Sequence, residues 1–500
     1  MSTRSGTADD HESLAPPMTP PPETEDNAEA AAPAAEVPLV LDVDGTLLRT
    51  DLLFETLSAA LGKDLPATVW AVAKLHWSPA RLKRRLLDIS APDIAALPLR
   101  GEVLELAREA MAHGRQVVLT SGADQALVDR LALQLGLPGP HFGSDGRQNL
   151  TGTAKAALLV ARFGKQGFDY AGDSADDLPV WRAARRIIAV APGPRLARRV
   201  AAIGRPVQEV GTPWTYASFL REIRPHQWLK NLLLLVPLVA AHDLAPERLI
   251  AVLMMVVSFS LAAATVYIVN DIFDLGADRA HPEKRFRPIA SGALPIKVAA
   301  LASGALAAVA LASAAFVGWQ AVALTLAYLV LSFAYSAWLK HRRWIDLAVL
   351  AGLYYLRIVT GAVVAGIGIS GWLLGFCFAV FFTLAAVKRL TELARRSGAT
   401  LPGRGYSAAD QGRVFGAAYV GCAAAAALYF AYTFSSEAFA LYREPTPLRL
   451  ATLPVAAWLV RMIRLGHDGR EDYDPTAFVL HDRPGLVIAL AGIALVLLAV

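Results

Sequence analysis

The sequence predicts a two-part fold: an open, doubly wound α/β domain followed by an all-α bundle of nine membrane-spanning helices. Short apolar runs alternate with Ala- and Leu-rich stretches in the first 205 residues. Long apolar segments dominate after residue 228, and they raise the mean hydropathy of the whole chain to +0.41. The change in character between these two regions predicts separate domains.

The segment 1–36 is rich in Ala, Pro, Glu and Asp and lacks an apolar run, so we expect a disordered tail without a signal peptide. We therefore expect the α/β domain, at 37–205, to stay in the cytosol. A linker and interfacial segment is expected at 206–228, and the membrane domain at 229–500.

Three apolar runs, at 37–41, 116–119 and 168–171, are short enough for buried parallel strands. Polar residues follow each of them, and open α/β sheets bind ligands at the carboxyl ends of their strands. Asp42 and Asp44 follow the first run on a turn opened by Gly45. One such carboxylate can attack phosphorus while the other transfers a proton.

Four sequence pieces in this order resemble the haloacid dehalogenase-like phosphatases over about 37–205: Asp-Val-Asp-Gly-Thr at 42–46, Ser121, Lys155, and Gly-Asp-Ser-x-x-Asp at 172–177. The resemblance implies that Asp42 is the nucleophile and Asp44 the acid/base. It implies that Ser121 and Lys155 contact phosphate, with Thr120 an alternative to Ser121. The expected Mg²⁺ set is Asp42, Asp44, Asp173 and Asp177. A degenerate domain kept for regulation is the alternative.

The second part of the chain contains nine apolar segments, and the loops between them alternate in charge. By the positive-inside bias, the Lys- and Arg-rich even loops and the N-terminal domain are cytoplasmic, and the C-terminus is outside. The net charge of +5 is modest, and the basic residues adjoin apolar spans, so we do not expect a nucleic-acid partner. The segments lie near 229–242, 247–270, 296–316, 318–337, 345–366, 370–388, 411–432, 447–463 and 484–500.

Asn270, Asp274 and Asp278 are spaced four apart at the end of the second span, with Asp271 beside them. Such acids repel one another under a membrane unless a cation compensates them, and Mg²⁺ prefers carboxylates together with substrate phosphates. The loop that follows contains Lys284, Arg285 and Arg287, which are suited to phosphate oxygens. A solvated acidic loop is the alternative interpretation.

The motif Asn-Asp-x-x-Asp-x-x-x-Asp, after the second of nine spans, resembles the UbiA superfamily of intramembrane prenyltransferases over roughly 215–500. The resemblance implies that Asp271, Asp274 and Asp278 are catalytic and bind Mg²⁺. Ordinary members carry a second Asp-rich motif where this chain has Lys388-Arg389. That difference resembles the decaprenyl-phosphate phosphoribosyltransferase branch. The expected substrate-binding residues are Asn270, Lys230, Lys284, Arg285, Arg287, Lys340, Arg357, Lys388 and Arg389.

We therefore expect a Mg²⁺-dependent membrane transferase that moves 5-phosphoribose from phosphoribosyl diphosphate to a polyprenyl phosphate. The α/β domain is expected to remove the 5-phosphate from the product. Lys388 and Arg389 have a plain alternative role as positive-inside anchors. Two alternatives remain for the whole protein: a prenyltransferase that joins a prenyl diphosphate to an aromatic or lipid acceptor, and a transporter.

Overall fold

A computed structural model of the protein describes residues 37–368, 370–395, 405–470 and 482–500. The segment 1–36, predicted to be a disordered tail, lies outside the described residues. Within them, a parallel sheet flanked by helices is followed by a helical bundle. The predicted α/β domain and helical membrane domain are therefore confirmed as architectures, and their boundaries stay predictions.

The first domain is built on six parallel strands. In chain order they are β1 Leu39–Asp42, β2 Val117–Asp124, β3 Phe142–Ser144, β4 Asp169–Gly172, β5 Ile187–Val190 and β6 Val207–Val210. The spatial order is β3-β2-β1-β4-β5-β6, and β1 pairs with β2 and β4. The three predicted strands correspond to these three central strands. Their carboxyl ends meet at the middle of one sheet edge.

Successive side chains of a strand point to opposite faces of the sheet, so β1 contributes to two separate apolar cores. Leu39 and Leu41 belong to one apolar cluster, and Val40 belongs to the cluster on the opposite face of the sheet. Helices cover both faces, as parallel sheets require. These helices are α1 Leu52–Lys63, α2 Leu65–Leu75, α3 Pro79–Ile89, α4 Gly101–Ala112, α5 Gln125–Gln134, α6 Gly152–Phe163, α7 Leu178–Ala183 and α8 Pro194–Ala201.

In the described residues, six helices of the second domain are long and apolar enough to cross a membrane. A short helix, α9 Tyr216–Glu222, precedes this bundle. The six spanning helices are Pro246–Phe273, Ile296–Val317, Trp319–Ala337, Ile345–Ala365, Gly371–Ala394 and Ala408–Tyr432. They correspond to six of the nine predicted spans.

The three other predicted spans form shorter helices. The segment 229–242 is a 3₁₀ helix, Pro225–Leu235, followed by Val236–Ala240. Pro237 lacks a backbone donor and starts a new helical turn, which explains this break. The last two segments form Pro445–Leu450, Thr452–His467 and Arg483–Leu497. None of these reaches the roughly 20 residues of a complete span.

Two further short helices complete the bundle, Leu275–Ala280 and Ser436–Leu441. The first follows Pro246–Phe273 almost directly and carries Asp278 and Arg279. It lies at the membrane face that adjoins the α/β domain, because Arg279 contacts α1.

A buried ion pair joins the two domains. Both guanidinium nitrogens of Arg279 donate to the carboxylate of Glu55 in α1, at 2.6 and 2.7 Å. The two side chains are only 6% and 4% exposed. Ser58, one turn further along α1, donates to the carbonyl of Ile272 at 2.6 Å. The α/β domain is therefore fixed to the end of the helix that carries the Asp-rich motif.

Replacing Arg279 with alanine is expected to weaken this contact by about 3–5 kcal/mol, because Glu55 would remain buried without its counter-charge. The measurement is the rate of proteolytic cleavage in the segment 206–215 in detergent, which should rise strongly. Arg248→Ala removes a half-exposed ion pair with Asp243, far from this contact, and should change little. Equal cleavage rates in the two variants would contradict the prediction.

Candidate active sites

Asp42, the last residue of β1, is buried at the centre of the sheet edge. The chain then turns through Asp44 and Gly45, whose φ of +78° is in the left-handed region. A β-carbon at position 45 would come within 2.2 Å of a carboxylate oxygen of Asp173. Glycine is therefore required here both by the backbone angle and by the approach of Asp173.

Ser121 lies in β2, directly beside β1, and its hydroxyl donates to Asp44 Oδ2 at 2.6 Å. The other oxygen of Asp44 accepts from the backbone N–H of Leu52 at 2.7 Å. The Thr120 hydroxyl is buried and has no hydrogen-bond partner in the described part of the chain. The contact with Asp44 therefore favours Ser121 over Thr120 as the site residue.

Lys155, in α6, is buried and its ammonium group contacts the carboxylate of Asp42. The same ammonium lies 3.7 Å from Asp177 Oδ1. Burial opposes the charged form of Lys155, but Asp42 and Asp177 outweigh it, and the pKa of Lys155 is raised. Burial raises the pKa of Asp42, which the charge of Lys155 counteracts. Lys155 therefore remains a cation beside Asp42.

Tyr170 was not anticipated from the sequence. It lies in β4, and its hydroxyl donates to Asp177 Oδ1 at 2.7 Å. The Lys155 ammonium lies 3.2 Å from the same hydroxyl. Tyr170 thus holds the orientation of both charged groups. An aromatic residue in a buried strand gives no sign in the sequence that its polar end faces a site.

Three carboxylates of this edge converge. The ligand atoms of Asp42, Asp173 and Asp177 lie within 4.8 Å of one another. Burial, followed by the charge of Asp177, raises the pKa of Asp173 to about 7. A divalent cation would compensate both the burial of these carboxylates and their mutual repulsion, so these three residues fit a Mg²⁺ site. Asp44 is outside this group, and its predicted role as a metal ligand remains a prediction.

The Asp-rich motif of the membrane domain spans a helix end. Asn270 and Asp271 lie in the last turn of Pro246–Phe273, Asp274 separates this helix from the next, and Asp278 lies in Leu275–Ala280. The backbone still connects them, since Asp274 N–H donates to Asn270 and Asp278 N–H to Asp274, each at 2.8 Å. The motif therefore keeps helical spacing despite the change of helix.

Two arginines hold the carboxylates of this motif. Arg287 Nη1 donates to Asp271 at 3.0 Å and to Asp278 at 2.6 Å, and thus lies between the two acids. Arg224 contacts the second oxygen of Asp271. Asp274 stands apart, with its oxygens 3.3 and 3.4 Å from the ammonium group of Lys340. The structure therefore places Arg287 and Lys340, two of the predicted substrate-binding cations, directly on the motif.

Asp271 and Asp278 fit a divalent cation because their oxygens already converge on one positively charged nitrogen. Asn270 supports this fit, since its Oδ1 is buried without a hydrogen-bond partner in the described residues. An amide oxygen is a suitable ligand for a hard cation or a suitable acceptor for a substrate group.

Glu222, at the end of α9, is a site residue that the sequence analysis missed. It is almost fully buried beside Asp271. Burial, and then the charge of Asp271, raise the pKa of Glu222 to about 8. A protonated Glu222 can donate a hydrogen bond to Asp271 at neutral pH. The sequence gives no sign of this role, because Glu222 is one polar residue among others in the segment 206–228.

The other predicted substrate-binding residues are more dispersed. Lys230 donates to Gln227 at 2.6 Å, and Arg357 donates to Asn231 at 2.9 Å and to the carbonyl of Leu353 at 2.6 Å. Lys284 and Arg285 are exposed on the loop after the motif, and Lys388 is half-buried. None of these five donates to the motif carboxylates in the hydrogen bonds and ion pairs of the described residues. Their substrate roles remain predictions.

Arg389 is completely buried in a network of its own. Its guanidinium group donates to Asp346 at 2.5 and 3.0 Å, to Glu392 at 2.6 Å and to Tyr335 at 2.9 Å. This network fixes the end of Gly371–Ala394 to the start of Ile345–Ala365. The geometry therefore favours a structural role for Arg389, and the predicted contact with substrate remains a prediction.

The family model described as the UbiA prenyltransferase family matches residues 232–482, half of the chain. The chain belongs to the UbiA prenyltransferase family. Six helices of the described residues are long and apolar enough to cross a membrane, and the chain is a multi-pass membrane protein of the transferase type. Family membership favours a transferase over the transporter alternative.

Three known proteins illustrate the similarity. Uncharacterized protein y4nM of Sinorhizobium fredii is 33% identical over 457 residues, which cover 90% of this chain and 88% of that protein. A decaprenyl-phosphate phosphoribosyltransferase of Mycobacterium tuberculosis is 39% identical over 194 residues, 37% of this chain and 64% of that protein. A UbiA homologue from Archaeoglobus fulgidus, solved with GPP and Mg²⁺, is 18% identical and covers 56% of this chain and 99% of its own, with a TM-score of 0.43.

Proposed function

We propose that the membrane domain transfers 5-phosphoribose from phosphoribosyl diphosphate to the phosphate of a polyprenyl phosphate. The observation that carries this proposal is the set of cations that already contacts the Asp-rich motif. Arg224, Arg287 and Lys340 contact its carboxylates directly. Such a site suits a substrate pair that brings a diphosphate, a sugar phosphate and a lipid phosphate.

The ion pairs of the region 388–392 also favour phosphoribosyl diphosphate over a prenyl diphosphate as the donor. A prenyl diphosphate donor is expected to use a second Asp-rich motif in this region. Glu392 and the nearby Asp346 are instead paired with Arg389. The similarity to the decaprenyl-phosphate phosphoribosyltransferase of Mycobacterium tuberculosis also supports the proposal, although it covers only 64% of that protein.

In this reaction the bond between sugar C1 and the diphosphate breaks, and a bond from C1 to a lipid phosphate oxygen forms. Mg²⁺, held by Asp271 and Asp278 with Asp274 at the rim, would supply neutralisation of the leaving diphosphate. Arg224 and Arg287 are positioned to exchange a carboxylate partner for a phosphate oxygen. Positioning and charge stabilisation carry such a transfer, and no covalent enzyme intermediate is required.

The α/β domain is proposed to be a haloacid dehalogenase-like phosphatase that hydrolyses the 5-phosphate of the lipid product. A carboxylate oxygen of Asp42 attacks phosphorus, the bond to the sugar oxygen breaks, and Asp44 donates the proton that this oxygen needs. Asp44 then takes a proton from the water that releases phosphate. Ser121 orients Asp44, and Lys155 beside Asp42 stabilises the phosphoryl charge. With the α/β domain on the cytoplasmic side, both sites adjoin the same membrane face.

The proposal is tested with purified protein, labelled phosphoribosyl diphosphate, polyprenyl phosphate and Mg²⁺. Mass spectrometry of the lipid fraction should show a polyprenyl phosphoribose, and phosphate should be released. The matched reaction contains a prenyl diphosphate and an aromatic acceptor. Turnover of that pair, with no lipid product from phosphoribosyl diphosphate, would replace the proposal by the ordinary prenyltransferase activity.

Gly45→Ala is expected to lower phosphate release by about 10²-fold or more, since the new methyl group must displace Asp173 from its position near Asp42. Transfer to the lipid should be unaffected. The measurement is the initial rate of phosphate release in detergent. Gly62→Ala, in α1, is the matched control, because a β-carbon there meets nothing within 4 Å. Parent-like phosphate release by Gly45→Ala would contradict the placement of Asp173 at the reacting centre.

A further inference from the structure

The cavity that contains Asp42 extends beyond the α/β domain. Its volume is about 690 Å³, and residues of both domains line it. The catalytic end is formed by residues such as Asp42, Lys155 and Asp173. The opposite side is formed by the linker 212–218 and by the segment 292–298 of the membrane domain. A cavity of this size accommodates a ligand larger than a single phosphate group.

The segment 292–298 is packed tightly against the active-site loop. Gly292 has a φ of +72°, and a β-carbon there would come within 2.4 Å of the side chain of Arg49. Arg49 is four residues after Gly45. The following residues, from Ile296, begin the membrane-spanning helix Ile296–Val317. One wall of the phosphatase cavity is therefore the first turn of a membrane span.

Lys297 lies in that first turn, is exposed, and lines the cavity. It has no hydrogen bond or ion pair within the described part of the chain. Burial raises the pKa of the nearby Asp51 to about 6, and the charge of Lys297 acts against this rise. Other lining cations are already bound to protein groups: Arg49 to Glu102, Lys83 to Gly122 and Asn149, and Arg100 to Gly45 and Thr46. Lys297 is thus free to bind a ligand anion.

The linker side of the cavity has the character of a membrane interface. Trp214 lines the cavity and is 39% exposed, and Tyr216 and Leu220 next to it are 79% and 54% exposed. Trp and Tyr are enriched at the head-group level of membranes. The helix α9 that carries Tyr216 and Leu220 also contacts the span Pro246–Phe273. The cavity therefore opens where lipid head groups are accessible.

We propose that the phosphatase site is a composite of both domains, built for a phosphomonoester that is attached to a membrane lipid through a second phosphate, and that Lys297 binds this second phosphate. The inference rests on the proposed phosphatase activity and adds the residue that recognises the lipid-linked part of its substrate. The terminal phosphate is attacked by Asp42, while the lipid-linked phosphodiester lies near Lys297 at the membrane surface. A soluble sugar phosphate occupies only the first of these two positions.

The test supplies the full-length protein in vesicles with substrates that bypass the membrane active site. A synthetic polyprenyl phosphoribose 5-phosphate is compared with free ribose 5-phosphate and with p-nitrophenyl phosphate. The parent should prefer the lipid substrate over ribose 5-phosphate by at least about tenfold in kcat/KM, the effect of one charge-assisted contact. In Lys297→Glu that preference should fall to about one, mainly through KM, and Lys297→Arg should retain most of it.

Lys165→Glu is the matched control, because Lys165 is also exposed but does not line the cavity. It should keep the parent's preference. An equal effect of Lys165→Glu and Lys297→Glu, or a parent that prefers ribose 5-phosphate, would overturn the composite site while leaving the phosphatase activity intact. A parent that hydrolyses none of the three phosphomonoesters would overturn the phosphatase function itself and the composite site with it.

Discussion

Asp271→Asn is expected to lower the rate of glycosyl transfer by about 10³-fold, because the neutral amide cannot replace a carboxylate that compensates a divalent cation. Asp271 has charged neighbours on several sides: Arg224 and Arg287 both contact it, and Glu222 lies beside it. The measurement is the initial rate of label transfer from phosphoribosyl diphosphate to lipid at saturating Mg²⁺. Phosphate release from a supplied lipid substrate should remain at the parent's rate.

The control for this variant is Asp243→Asn, which removes a half-exposed carboxylate of the same domain that pairs with Arg248. It should transfer at nearly the parent's rate. If Asp271→Asn retained more than about a tenth of the activity, the Asp-rich motif would not be the metal site, since loss of even 1.4 kcal/mol of stabilisation costs that much.

Asp42→Asn is expected to abolish phosphate release, with a loss of about 10³-fold or more, because the nucleophile itself is removed. Transfer should continue, so the lipid product should accumulate heavier by one phosphoryl group. Mass spectrometry of the lipid fraction measures both effects at once. Asp129→Asn, an exposed acid on α5, provides the comparison.

Two outcomes of the Asp42 experiment would count against the proposed sequence of reactions. A lipid product identical to that of the parent would show that the α/β domain does not act on it. Loss of transfer in Asp42→Asn, with the protein still folded, would show that the two sites are not chemically independent. Asp42 is far along the chain from the Asp-rich motif, but the buried contact between Glu55 and Arg279 joins their domains.

Local patterns in the sequence were sufficient for the architecture of the soluble site. A strand that is buried on both faces consists of consecutive apolar residues, so the ends of β1 at Asp42 and of β4 at Gly172 could be located, whereas β2 continues to Asp124. Parallel strands place their ends at one edge, and this brought Asp42, Ser121 and Asp173 into one predicted site. The structure places these residues together.

The contacts of the membrane site depend on long-range packing, which a sequence pattern does not contain. Arg389 and Lys340 are both basic residues near a membrane face, yet Arg389 is bound to Asp346, 43 positions away, while Lys340 contacts Asp274. Glu222 looked like an ordinary polar residue of an interfacial helix, and only its burial beside Asp271 distinguishes it. Spacing identifies which groups are available, but burial decides which of them are paired.

Helix length was another limit of the sequence. The apolar segment at 229–242 predicts a span by composition, but it divides near Pro237 into the end of a 3₁₀ helix that begins at Pro225 and a short α-helix. The conformational effect of Pro237 opposes the hydrophobic pattern of this segment. Apolar composition therefore located the six long helices of the described residues, but it did not fix the number of helices long enough to span a membrane.

The ion pair between Glu55 and Arg279 limits how this protein can be divided. A fragment that ends before residue 216 would expose Phe54, which packs with the membrane domain, and leave a carboxylate without its counter-charge. A membrane fragment without the first 210 residues would keep an arginine with the same defect, one residue from Asp278. Modular exchange of either half, in the laboratory or during gene fusion and fission, would therefore require both members of the pair to change together.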